Sequence, residues 1–366
     1  MHWYTITNVS EIDSPSLVLY RDRVKDNILA LKSMLNDTDR LRPHVKTNKM
    51  SEVCQMLLEA GIHKFKCATI AEAEMLAAVK APDVLLAHQP VGPKVNRFFS
   101  LMTVSPDTVF SCIVDNAGTA DILSAAASEA NRQLEVLIDV NVGMNRTGIK
   151  PEKALELYRY LQTLPGLICR GLHVYDGHIR DVDLAARSKR VNECFEKVTP
   201  VIAGITAISG EPPRIVAGGS PSFPVHAGRM GVECSPGTFV FWDGLYKRIL
   251  PDEPFDHAVL IVTRVISVLD DQLLCLDLGH KSVAAENPFP RVHFLNAPEA
   301  EAVSQSEEHL VMKVPDTRVY QVGDVWYGVP LHICPTVALH QHVHVIEAGM
   351  AGVKWKVTAR DRMINV

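Results

Sequence analysis

Of the 366 residues, 47% are hydrophobic and 22% charged, and 37 Lys and Arg against 42 Asp and Glu leave a formal net charge of −5. These proportions exclude a disordered chain, a collagen-like repeat and a coiled coil. The small negative balance gives no electrostatic reason to expect a nucleic acid or an anionic membrane as partner. The length calls for two domains, or for one barrel with something added to it.

Up to about residue 245, short apolar runs alternate with amphipathic stretches. The runs Arg42–Thr47, Phe65–Thr69, Val84–His88, Val109–Asn116, Glu135–Val142, Gly171–Tyr175, Arg214–Gly219 and Gly237–Trp242 read as strands. Helical periodicity lies between them over Val24–Leu35, Ser51–Glu59, Ala71–Val79, Asn116–Asn131, Lys153–Leu161 and Val182–Val198. Val-rich strands separated by helices predict parallel β with helices outside. Eight of them fit an α/β fold of the (β/α)8 TIM-barrel type, usually about 250 residues. The competing doubly wound sheet lacks a GxGxxG after its first strand. Beyond residue 246 the pattern changes. Leu260–Leu269, Gln272–Asp277, Val292–Leu295, His309–Lys313, Val325–Val329, His342–Ile346 and Val353–Thr358 are short, β-branched and separated by Gly, Pro or Asp. They predict a C-terminal all-β domain over 246–366, which Trp3–Val9 could join, with the barrel over 10–245.

Met1 to Pro15 has no basic stretch followed by an apolar core, so no secretory signal is expected. The apolar runs are too short to span a bilayer. Eight cysteines without CxxC pairs predict reduced thiols and a cytoplasmic setting.

In a (β/α)8 barrel, chemistry is placed at the C-terminal ends of the strands. The first strand ends on Lys46, which shares a face with His44. A lysine inside a barrel must be paired or made neutral, and a Schiff base to a cofactor does the second. The plain alternative is a lysine that reaches solvent. After the fifth strand, Arg146 lies between Gly143 and Gly148, placed to pair with an anionic oxygen. After the sixth come Tyr175 and the imidazoles of His173 and His178, candidates for ring packing and proton transfer. Gly218-Gly219-Ser220, and Gly237-Thr238 further on, are glycine turns with hydroxyls that suit an anion. His332 and Cys334, two apart on an expected extended segment, could share a cation, and imidazole with thiolate favours zinc. Each of these readings competes with a plain structural one. The tract His340-Gln341-His342-Val343-His344 reads more simply as one strand face.

Taken in order, DSPSLVL from Asp13, RPHVKTNK from Arg42, GMNRTGI from Gly143, GGSPS from Gly218, PGTFVF from Pro236 and HICPT from His332 run nearly the whole chain. Together they resemble the D-threonine aldolase and D-serine dehydratase group of fold-type III, alanine racemase-like pyridoxal 5'-phosphate (PLP) enzymes. The resemblance implies that Lys46 is the Schiff-base lysine, with Arg146 near the phenolic oxygen of PLP and Tyr175 beside its ring. It implies that Gly218, Gly219, Ser220, Gly237 and Thr238 cradle the phosphate, with His44 also at the cofactor. His332 and Cys334 match the group's metal pair, for Zn or alternatively Mn or Mg. A homodimer and a small D-amino acid substrate are implied as well.

Two departures mark this chain. Aldolases of the group carry a His six positions after the tyrosine, where this chain has Asp181, with His178 three residues earlier. Their second metal position is commonly Asp, whereas Cys334 is more like the D-serine dehydratases. The implied activity is cleavage of a β-hydroxy-D-amino acid to glycine and an aldehyde, with Lys46, His178 and Asp181 as the catalytic candidates. The alternative is dehydration to a 2-oxo acid and ammonia. An amino-acid racemase, a non-catalytic PLP-binding protein and a metal-only hydrolase are the rival readings.

Overall fold

The fold was analysed in a computed structural model, which describes residues 2–366. Contacts divide the chain into two compact units. One comprises residues up to Ala30, Thr47–Glu52 and Thr238–Arg360; the other comprises Leu31–Lys46, Val53–Gly237 and Asp361–Val366.

The second unit is built on seven parallel strands paired in sequence order: β2 Lys64–Cys67, β3 Asp83–Leu86, β4 Val109–Val114, β5 Leu134–Val140, β6 Leu167–Val174, β7 Arg214–Ala217 and β8 Val232–Cys234. Sequential parallel order decides against the doubly wound sheet and for the expected barrel. The segment 41–45 lies between the last strand and the first. Arg42 N–H donates to Cys234 O and Val45 N–H to Lys66 O, each at 2.9 Å, with single bridges Leu41 to Cys234 and His44 to Lys66.

Two sequence expectations are corrected here. Arg42–Thr47 carries a single isolated bridge, at His44, and is not a strand, because Pro43 has no N–H to donate to a ladder. The strand expected at Gly237–Trp242 is instead a 3-10 turn at Thr238–Val240. Pro236-Gly237 ends the extended backbone, and the short β8 before it takes the eighth position. The helices Pro93–Val104 and Thr199–Ser209 also escaped the sequence reading.

Local chemistry sets the helix starts. Thr69, Asn116 and Asp183 accept hydrogen bonds from the backbone N–H three residues on, opening the helices Ile70–Ala78, Ala117–Glu129 and Leu184–Glu196. Inside the barrel, Leu85, Ile113, Leu137 and Val216 pack as a buried cluster. A charged layer crosses the strand starts. Arg42, fully buried, holds Asp83 at 2.7 and 2.9 Å and Glu233 at 2.6 Å, while Lys64 holds Glu233 at 2.9 Å.

The first unit is dominated by a nine-stranded sheet. Its central strand β9 (Val259–Val268) pairs with β1 (Ser16–Tyr20), β10 (Leu273–Leu276) and β14 (Val325–Pro330). β11 (Val292–Phe294), β12 (Glu301–Gln305), β13 (Leu310–Lys313), β15 (His342–Glu347) and β16 (Met350–Lys356) complete it. The strand that joins this sheet from the N-terminal region is Ser16–Tyr20 and not Trp3–Val9. Tyr4 and Ile6 instead bury their side chains against Val18, Leu260 and Tyr327 without extended pairing. The edge strand β12 was missed because its Glu-Ala-Val-Ser-Gln is largely solvated.

Candidate active site

The strand ends of the barrel enclose a cavity of about 550 Å3 whose lining includes His44, Lys46, Lys66, Arg146, His173 and Tyr175. Tyr175 is its organising ring. The guanidinium carbon of Arg146 lies 4.8 Å from the ring centroid, Lys66 Nζ 5.5 Å and Lys46 Nζ 5.9 Å. Two lysines and an arginine around one ring, with Asp139 in the same lining, make a site suited to an anion. Arg146 is held out by a tight loop. At Gly148, where φ is +98°, an added Cβ would meet Asn141 N at 2.7 Å, so only glycine lets the loop turn back there.

Two buried His–Asp hydrogen-bonded pairs flank the ring. His173 Nδ1 is 2.7 Å from Asp139 Oδ1, and the imidazole lies parallel to Tyr175 with centroids 6.5 Å apart. The other nitrogen, His173 Nε2, is buried without a hydrogen-bond partner. Burial opposes the charge on Asp139, but the bonds from His173 and Thr147 outweigh it and hold the carboxyl below its usual range. Burial likewise pulls His173 down, which keeps its imidazole neutral.

Asp176 accepts from Ser222 Oγ at 2.6 Å and pairs with His226 Nε2 at 2.8 Å, while Ser222 Oγ accepts from Gly219 N–H at 3.2 Å. This chain of bonds fixes the glycine turn from beneath. Gly218 has φ +74°, and a Cβ there would strike His226 and Ser222, both at 2.7 Å; a Cβ on Gly219 would lie 3.1 Å from the Tyr175 ring. The backbone thus approaches the ring as closely as it can. Gly237 N–H reaches Ser220 Oγ at 3.4 Å, and Thr238 follows in the chain.

His178 and Asp181 are not among the residues lining this cavity. His178 faces the Gly143 loop and Cys194 Sγ at 3.9 Å, and burial pulls its imidazole down. Asp181 pairs with Arg190 at 2.7 Å and accepts from Arg187 on its carbonyl.

In the other unit, His332 is the N-cap of a helix at Ile333–Leu339, so His332 is extended and Cys334 is already helical. The expected extended segment is corrected, yet the two side chains are in hydrogen-bonding contact. His332 Nδ1 meets Glu286 Oε1 at 2.5 Å, the arrangement that fixes the tautomer of a ligating imidazole. Cys334 Sγ lies 3.1 Å from Thr47 Oγ1 and 3.8 Å from Thr238 Oγ1. Thr47 is next in the chain to Lys46. Asp243 accepts from Ile333 N–H at 3.1 Å, and burial pushes its carboxyl up to about 6.

The chemistry of both sites fits the groups that the sequence implies. A lysine at the cavity wall, a ring platform and a glycine turn without room for side chains suit a phosphorylated aromatic aldehyde. An imidazole beside a thiol, steered by a carboxylate, suits a borderline-soft cation. Among the described residues, no group of three or more His, Cys, Asp or Glu could hold a metal ion. Sequence reasoning missed Lys66, Asp139, Asp176, His226 and Glu286. Lys66 and Asp139 carried a signal, being charges flanked on both sides by apolar residues near the ends of barrel strands.

The model of the family described as alanine racemase, N-terminal domain, matches residues 19–243, and that of a serine dehydratase domain matches residues 258–346. A D-threonine aldolase of Arthrobacter sp is 28% identical over 362 residues, covering 96% of this chain and 94% of the relative. A 3-hydroxy-D-aspartate aldolase of Paracoccus denitrificans (strain Pd 1222) is 27% identical over 368 residues, covering 96% and 93%. The crystal structure of D-threonine aldolase from Filomicrobium marinum matches with a TM-score of 0.88 at 26% identity, covering 98% of both chains. More than half of the chain lies within the first of these matches, and the protein accordingly belongs to the alanine racemase N-terminal domain family, on the fold of alanine racemase-like PLP enzymes.

Proposed function

We propose that this chain is a PLP- and divalent-metal-dependent lyase of β-hydroxy-D-amino acids, cleaving Cα–Cβ to give glycine and an aldehyde in the manner of D-threonine aldolase. The observation that carries the reading is Lys46 in a cavity with Tyr175 and Arg146. Likeness over nearly the whole chain to a D-threonine aldolase supports it.

When bound, the cofactor supplies an electron sink at Cα and the cation lowers the pKa of an oxygen bound to it. Lys46 Nζ would hold the cofactor through its aldehyde carbon. Arg146 would bind the ring oxygen, with His44 and Tyr175 at the ring. The backbone at Gly218, Gly219 and Gly237, with the hydroxyls of Ser220 and Thr238, would bind the phosphate. His332 and Cys334 would hold the cation, zinc by the softness of the pair, with Mn or Mg as alternatives. His178 would take the proton of the β-hydroxyl at a ring nitrogen, a task for which a neutral imidazole is suited. Asp181, paired with Arg190, would orient that loop.

The second reading is dehydration, in which Lys46 Nζ takes the Cα proton, hydroxide leaves, and the products are a 2-oxo acid and ammonia. Cys334 and the serine dehydratase domain match over 258–346 favour it. The test is to incubate the protein with D-threonine, D-serine and D-phenylserine, with PLP and either Zn2+ or Mn2+. Glycine with acetaldehyde from D-threonine supports the aldolase; pyruvate from D-serine without glycine from D-threonine reverses the choice.

We place the protein in the cytoplasm as a homodimer, the compartment supported by eight free cysteines. Among the described residues no helix is long and apolar enough to cross a membrane.

A further inference from the structure

Lys66 has no part in the reading above. It sits inside β2 between Phe65 and Cys67, is 2% exposed, and reaches the same cavity as Lys46. Its Nζ is 3.5 Å from the carbonyl oxygen of Gly218, at the glycine turn, and 5.5 Å from the centroid of Tyr175. An ammonium has three protons to donate, and a single contact of that length leaves it badly served. Lys46 and Arg146 oppose a positive charge on it, while Asp176 and Asp139 favour one. His173 also lies within electrostatic reach, and His44 is its bridge partner on the neighbouring segment. Both carboxylates are already engaged, Asp176 by Ser222 and His226 and Asp139 by His173. Burial first, and then Lys46, pull the amine down to about 7, so at pH 8 it is mostly neutral in the empty site.

A neutral amine beside an anion cradle is an empty proton site. Bringing a phosphate dianion within a few ångströms reverses the electrostatic balance and restores the affinity of the amine for a proton. We infer that Lys66 is the proton-linked counter-cation of a phosphate monoester seated at Gly218–Ser220: entry of the anion draws a proton from solvent onto Lys66 Nζ, and the ammonium then retains the anion. Lys66 is thus a positioning residue for the ligand and not a group of the reacting centre. The inference rests on the proposed function in so far as the ligand is PLP; free inorganic phosphate shares the same chemistry and serves as an independent probe.

The experiment is calorimetric titration of the whole chain, stripped of cofactor, at pH 8 in HEPES and in triethanolamine, two tertiary-amine buffers that form no imine with the aldehyde. The dependence of the observed heat on the ionisation heat of the buffer counts the protons taken up. The ligands are PLP, inorganic phosphate and pyridoxal, which lacks the phosphate; the proteins are wild type, Lys66→Met and Lys66→Arg. Wild type is expected to take up nearly one more proton per bound PLP or inorganic phosphate than either variant, with no such excess for pyridoxal. Lys66→Met is expected to bind both anions about 10- to 100-fold more weakly, the range for loss of a charge-assisted hydrogen bond. Lys66→Arg, charged at all times, is expected to bind them well without the extra proton. Should Lys66→Met fail to fold, Lys66→Arg still decides, since a merely structural lysine would leave proton uptake unchanged.

Equal uptake in wild type and variants, or an excess with pyridoxal equal to that with PLP, overturns the inference. If PLP gives a visible absorption band that Lys46→Ala abolishes, the proposed function stands whatever happens at Lys66. If PLP does not bind at all, the functional reading fails and the inorganic phosphate arm still decides on Lys66.

Discussion

The two ends of the barrel carry opposite electrostatic arrangements on the same strands. At the strand starts the charges are held in pairs: Arg42 with Asp83 and Glu233, and Lys64 with Glu233. At the strand ends Lys46, Lys66 and Arg146 gather around Tyr175, while Asp139 and Asp176 are committed to histidines. β2 shows the contrast within three residues, since Lys64 is ion-paired and Lys66 is not. Removing one partner of a buried pair strands the other at a cost in stability, and an unpaired buried charge carries that cost until a ligand compensates it. One end of the strands therefore holds its charges in pairs, and the other gathers basic side chains around a ring.

The largest effect that could break this comparison is at Lys46. Lys46→Ala is expected to remove the visible band formed with PLP and to lower lyase turnover by about 10³-fold or more, with folding intact by circular dichroism. His178→Gln should lower kcat by about 10²- to 10⁴-fold, the usual weight of a general base, without displacing the cofactor band. At the opposite end, Arg42→Met leaves two buried carboxylates short of a partner. It should cost about 3–5 kcal/mol in urea unfolding while the folded fraction keeps its specific activity.

Lys66 offers a pH test of the cofactor-free protein. Its amine sits at about 7 in the fold against 10.5 when unperturbed, so between those values the unfolded chain binds more protons. Stability should then rise with pH across that window, and the urea midpoint of Lys66→Met should rise less steeply. A wild-type midpoint that stays flat from pH 7 to 10 would show Lys66 to be compensated already. Smallest of all, Asp181→Asn should change turnover far less than His178→Gln, because its carboxylate is already engaged by Arg190 at 2.7 Å.

The parts of this site that were legible are those where residue type and strand position agree. Lys46, Arg146, Tyr175 and Gly218 each fall just past an apolar run, and the barrel places strand ends together whatever the intervening sequence. Lys66 fell inside an apolar run, where a single lysine reads as an irregularity until His44 is seen beside it. β8 is three residues long and carries no periodicity, so the expected strand was drawn a few residues too late. Glu286, which steers His332, stands in a loop whose approach follows from no local pattern. The helix at Ile333 was hidden by Pro335, a residue tolerated in a first helical turn but also common in extended chain.

Pro43 gives the barrel a seam. Where neighbouring strands share ladders, the segment 41–45 joins its two neighbours by single bridges, and the last of its hydrogen bonds is donated by Val45, one residue before Lys46. A molecule bonded at once to Lys46 and to the amides that follow β7 and β8 would therefore span that join from both sides. Such a ligand completes the circumference of the barrel as a keystone completes an arch, and hydrogen exchange at Val45 and Lys66 would report its arrival.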